Sequence, residues 1–230
     1  MFTDYILTFR NLPLEINSRQ RVIYDSLGFT LEMIDYNFNE LEKRLRNISQ
    51  TNKQQVKLPE LFTFCWNIVD STIRFIKIYK LLPSPTGHQL VKSILHVNKF
   101  RNTFQHLDER GDEVIFEKGR PFFGAIKWIY KNFDNNKIKA LIAISGIYSG
   151  KPHKFYYPKQ NEVDKDIYRI VLESVDKRKV IELDLSMLMS DLKKIIQTME
   201  TKIKSQIQNS KFEPADFKKR RDIILRLNNE

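Results

Sequence analysis

IYRIVLESVDKRKVIELDL, residues 167–185, runs without a break into SMLMSDLKKIIQTMETKIKSQI, residues 186–207. Ile, Val, Tyr and Leu crowd IYRIVLES and KVIELDL, and the polar VDKR between them is turn-like, so the pair reads as an antiparallel hairpin. From Ser186 the spacing becomes helical, with Leu188, Leu192, Ile195, Ile196, Met199 and Ile203 on one side. What this hairpin and helix pack against decides the fold.

Upstream, the same strand-like texture extends back to Gly111. EVIFE, AIKWIYK, KIKALIAISGIYS and KFYYP are rich in Ile, Val, Tyr and Phe, and RGDE, DNN and SGK separate them. Before Gly111 the texture is helical. Residues 22–48 carry Ile23, Leu27, Leu31, Ile34, Phe38, Leu41, Leu45 and Ile48 at steps of three and four, and SQTNKQQ ends that pattern. Pro59 suits the first turn of a second helix bearing Leu61, Phe62, Cys65, Trp66, Val69, Ile73 and Ile76, which should stop before LLPSPTG. A third helix is predicted from about His88, with Leu90, Ile94, Val97, Phe100, Phe104 and Leu107 on one side and Gly111 as its end.

A lone C-terminal helix needs the earlier helices to bury its apolar face, and short connections favour antiparallel neighbours. The expected fold is therefore mainly α: an antiparallel helical bundle with a small antiparallel β insertion between the third and fourth long helices. Residues 1–111 would form the first part of the bundle, 112–185 the strand-rich inserted lobe, and 186–230 the last bundle helix with a basic C-terminal tail.

At 230 residues the chain can bury a sizeable core, and 41% apolar content supports a folded globule. Lys and Arg number 39 against 28 Asp and Glu, a net charge of +11 that should draw polyanions, nucleic acid first among them. Surface lysine without any partner would give the same total. The single cysteine, Cys65, rules out an intrachain disulfide and a Cys-rich zinc site, and fits a reducing compartment. No basic n-region with a long apolar run opens the chain and no segment approaches a membrane span, so a cytoplasmic protein without a membrane partner is expected.

The most specific stretch is KFRNTFQHLDERGDE, residues 99–113. At about 100° per residue, Val97, Phe100, Phe104 and Leu107 form one stripe, Asn102 and His106 stack nearly opposite, and Arg101 lies at the edge between. An imidazole exchanges a proton near neutral pH, and a guanidinium clamps a phosphate and holds developing charge. Metal-free cleavage of an RNA phosphodiester needs those two functions, and Asn102 could orient the imidazole.

The run RNTFQH resembles the hallmark of the HEPN superfamily, in which an Arg is followed by a polar residue, commonly Asn, and after a short spacer by a His. Arg101, Asn102 and His106 match those positions. The resemblance implies an all-α bundle, a homodimer joining two motifs at one cleft, and metal-independent endoribonuclease activity with no cofactor. It also implies toxin–antitoxin or antiphage defence roles, with an antitoxin or other protein as a further partner beside RNA. His106 would be the acid/base, Arg101 the phosphate and transition-state ligand, and Asn102 the orienting group. The alternative is a non-catalytic dimerisation module that binds RNA or protein, and a third reading makes RNTFQH a helix-capping polar cluster.

Supporting residues follow from spacing. Asp70 and Arg74 sit one turn apart on the second helix, as an intrahelical pair or as a brace for Arg101; Asp108 and Glu109 lie near Arg101 and Asn102 and could neutralise arginine. Lys154, Tyr156 and Tyr157 in KFYYPKQ, with Lys218, Lys219, Arg220 and Arg221 in the tail, mix charge with stacking surface as suits single-stranded nucleic acid; taken separately, a lysine-protected strand edge and a solvated tail are the simpler readings. SGIYSGK, residues 145–151, is one residue short of a phosphate loop, and Pro152 stands where a hydroxyl would hold magnesium. His88, His96 and His153 lack metal-ligand spacing, so no metal site is expected.

Overall fold

Asn17 starts the first long helix, its Oδ1 accepting the backbone N–H of Arg19 at 2.9 Å. A computed structural model describes residues 2, 8–13, 16–50, 57–83, 88–106, 108, 121–132, 137–146, 157–159, 163, 165–177 and 179–209. Helix α1 spans Ser18–Gln50 and buries Ile23, Leu27, Leu31, Ile34, Phe38, Leu41 and Leu45, the face its spacing predicts. Helix α2, Leu58–Tyr79, has Pro59 in its first turn and packs along α1.

The expected third helix is two elements. A 3-10 helix covers Gln89–Ile94, and after a turn α3 covers Val97–Gln105. The buried positions explain the break, because Val91, Ile94, Val97 and Phe100 recur every three residues and match the three-residue turn better than 3.6. Helix α3 then stops early. His106 is its C-cap, its backbone N–H donating to the Asn102 carbonyl at 3.2 Å; the expected stop at Gly111 lies outside the described residues.

Strands β1 (Ala125–Asn132), β2 (Lys137–Ile144), β3 (Ile167–Asp176) and β4 (Lys179–Asp184) form one antiparallel sheet in the order β2-β1-β3-β4. The hairpin of residues 167–185 is present, with Asp176 opposite Lys179, so its turn is shorter than VDKR. EVIFE lies outside the described residues, and Tyr157–Lys159 of KFYYPK is not strand.

This sheet overturns the expectation of a mainly α helical bundle with a small β insertion: the fold is α+β. Ile126, Trp128 and Tyr130 of β1, Ile170 and Leu172 of β3 and Leu183 of β4 belong to the same buried cluster as the apolar faces of α1 and α2. Trp128 also donates its Nε1–H to Ser49 Oγ on α1 at 3.0 Å. An inserted lobe would close a core of its own, whereas these strands share one core with the helices.

Helix α4, Leu185–Gln208, follows β4 with no loop and rests on β3, β4 and the 3-10 helix. Asp184 makes that junction, one carboxylate oxygen capping the Met187 N–H at 2.9 Å and the other accepting from Arg169 Nε at 2.6 Å. Asp184→Ala should cost about 1 kcal/mol for the cap, seen as a fall of about 2–4 °C in thermal unfolding by circular dichroism. Asp184→Asn should lose less, since an amide oxygen still caps. Equal losses would show that the ion pair with Arg169 outweighs the cap.

The opposite face of the sheet holds an ion cluster among buried apolar residues such as Ile129, Val171 and Val175. Lys127 Nζ donates to Glu173 at 3.1 Å and also to Glu182, with the Lys127 and Glu173 side chains 6% and 5% exposed. Among the described residues, no helix is long and apolar enough to cross a membrane.

Candidate functional site

Helices α2 and α3 lie side by side, and their polar residues meet at Asp70. One carboxylate oxygen of Asp70 pairs with Arg74, one turn along α2, at 2.7 Å; the other faces Arg101 Nε across to α3 at 3.6 Å. The second distance is an ion pair but too long for a hydrogen bond, and among the described residues the buried Nε of Arg101 has no hydrogen-bond partner. Asp70 and Arg74 are well exposed, so each pair contributes little stability. Their effect is positional: two cations share one carboxylate and leave an excess positive charge.

Arg101 opens onto a groove of about 810 Å³. Phe62, Trp66 and Val69 of α2 form one wall, and Phe123 with Ser145 and Gly146, at the ends of β1 and β2, form the other. A tight turn holds Phe123, the Gly124 N–H donating to the Pro121 carbonyl at 2.9 Å. Gly124 has φ +88°, and a Cβ there would lie 2.3 Å from the Glu173 carbonyl oxygen, so only glycine permits β1 to enter the sheet at this angle.

The expected trio divides. Arg101 lines the groove; Asn102 and His106 are exposed, joined through the backbone bond at the end of α3, and neither lines it. Of the supporting residues, Asp70 and Arg74 join Arg101, and Asp108 is exposed. Tyr157 is exposed and outside any strand. Glu109, Lys154, Tyr156, Lys218, Lys219, Arg220 and Arg221 lie outside the described residues.

Sequence reasoning missed Phe123. Phe62 and Trp66 read as core and are buried in it, whereas Phe123 belongs to PFFG, residues 121–124, which stood between two strand segments without a role. Two phenylalanines ahead of a glycine, one of them 46% exposed, were the available signal.

Other reactive groups are less suited to chemistry. Cys65 is fully buried, and burial pushes its thiol far up, away from the nucleophilic thiolate. A second cavity, about 670 Å³ between the start of α1 and the end of α4, contains Tyr24 and Tyr79. Burial raises both hydroxyls, with Tyr79 adding to the rise at Tyr24, so both stay protonated. His88 bonds the Leu82 carbonyl at 3.0 Å and His96 the Ser93 carbonyl at 2.9 Å.

No protein-family model matches this chain, and neither a curated protein nor a solved structure does.

Proposed function

We propose that the chain is a HEPN-like, metal-independent endoribonuclease acting on single-stranded RNA at the end of α3. The observation that carries this reading is the placement of Arg101, paired with Asp70 at an open groove, next to exposed Asn102 and little more than one turn before exposed His106. In the proposed reaction His106 takes the proton from a ribose 2′-hydroxyl and the 2′-oxygen attacks the adjacent phosphorus. Arg101 holds the charge that develops on the non-bridging oxygens, and the 5′-oxygen leaves with a proton from solvent or from a second motif. Products are a 2′,3′-cyclic phosphate, open to hydrolysis, and a 5′-hydroxyl.

The proposed assembly is a homodimer in which the second copy supplies the second motif. A toxin or antiphage role, with an antitoxin-type partner, belongs to the same proposal, as does a cytoplasmic location. A second reading, binding without cleavage, is favoured by one observation: His106 does not line the groove that Arg101 enters. The test is incubation of the protein with labelled single-stranded RNA in EDTA, with product ends mapped. Cyclic or 2′/3′-phosphate ends from wild type and none from His106→Ala support the nuclease; intact RNA that is still retained, and released by salt, supports the binding module.

A further inference from the structure

We infer that the groove beside Arg101 is a stacking subsite for one unpaired nucleobase of single-stranded RNA, with the adjoining phosphate on Arg101. The inference deepens the proposed function and rests on its premise that RNA is the ligand.

The groove's lining combines two chemistries. Arg101 enters it beside Asp70, whose carboxylate also pairs with Arg74 outside the lining, so these three charges sum to a positive site for one phosphate monoanion. The rest of the lining is largely apolar, with Phe62 and Trp66 of α2 mostly buried at 6% and 7% exposure and Phe123 opposite them 46% exposed. A phosphate next to a flat, π-faced group is the chemistry of a nucleotide, and such a pairing of cation and aromatic surface tolerates any base. A fatty acyl chain or an apolar peptide would fill the apolar part but gain nothing from the cationic site.

Three neutral side chains at the groove are already engaged. Thr63 donates its hydroxyl to the Pro59 carbonyl at 2.8 Å, Ser145 to the Gly124 carbonyl at 3.0 Å, and Asn67 Nδ2 to Asn37 Oδ1 at 3.2 Å. Little remains to read a base edge, so recognition should run through stacking. Phe123 is already held by the Pro121–Gly124 turn and by a T-shaped contact with Phe122, ring centroids 5.3 Å apart, and is still 46% exposed.

Tryptophan fluorescence gives a direct readout. The chain has two tryptophans, of which Trp66 lines the groove and Trp128 is buried on the sheet against Ser49. The probe is a 2′-O-methyl oligonucleotide, whose blocked 2′-oxygen prevents cleavage. It should quench Trp66, similarly for uracil and adenine sequences, and an abasic version of the same backbone should bind about tenfold or more weakly. Phe123→Ala should bring the same loss for the intact probe, and Phe123→Trp should restore affinity; neither change touches the buried core.

Equal affinity for abasic and intact probes, or an unchanged Kd in Phe123→Ala, overturns the subsite. So does quenching by lauric acid or an apolar peptide in place of the oligonucleotide. Base-dependent quenching by a protein that leaves ordinary RNA intact sustains the subsite while the nuclease reading fails. Cleavage of RNA without base-dependent quenching sustains the nuclease and removes the subsite.

Discussion

Lys127→Met is expected to lower the stability of the fold by about 3–5 kcal/mol, the usual cost of removing one partner from a buried ion pair. The ammonium lies between Glu173 and Glu182, which stand directly opposite one another across β3 and β4. Without it, a carboxyl group 5% exposed loses that ammonium and faces a second carboxyl across the ladder. Glu182 is 49% exposed, so Glu182→Ala should cost under about 1 kcal/mol. The double change Lys127→Met with Glu173→Leu should recover most of the loss, since an apolar pair of similar volume avoids both desolvation penalties. Urea unfolding of the four proteins decides this, and a single Lys127→Met variant with wild-type stability would sink it.

That lysine also shows why the sheet was hard to read as a layer of the main core. Residues Ala125–Tyr130 of β1 are buried at six consecutive positions, so the strand has no solvent face, although Lys127 makes the sequence look as if it had one. What buries the charge is Glu173, 46 positions away, and no local pattern shows it. The long helices were legible because one period repeats through them and their breakers, SQTNKQQ and LLPSPTG, are strong. The hairpin was legible for the same local reasons. The partner of α4 was not: an apolar helix face fits three helices or a sheet equally well, and β3 and β4 cover it.

The same division runs through the site. Asp70 to Arg74 is a four-residue step that a helix must close, and the suggestion that this pair braces Arg101 needed only α2 and α3 to be neighbours. The exposure of His106 followed from its place off the apolar stripe, and a capping role was one of the readings of RNTFQH, but the end of α3 at Gln105 was not legible, because Leu107 continues the stripe past it. Phe123 reaches the groove by way of the sheet, through a glycine whose left-handed backbone the sequence cannot display.

The motif variants should separate chemistry from binding more sharply than any stability measurement. His106→Ala is expected to lower single-turnover RNA cleavage by about 10²–10⁴-fold, the range for loss of a general acid/base, with affinity for the uncleavable oligonucleotide unchanged because the exposed ring lines no part of the groove. Arg101→Ala should lose cleavage by about 10²–10³-fold and weaken that affinity as well, since one guanidinium would hold both the ground-state phosphate and the transition state. Arg101→Lys should restore binding better than cleavage, because a point charge attracts the phosphate without reproducing paired donors. Asp70→Asn keeps the cation and removes the carboxylate that aims it, so kcat should fall by about tenfold with KM little changed, as for a misplaced group whose charge remains. If instead Arg101→Ala weakens binding while no variant alters an already absent cleavage, the guanidinium is a phosphate ligand alone, and the exposed His106 at the end of α3 takes no part in the site.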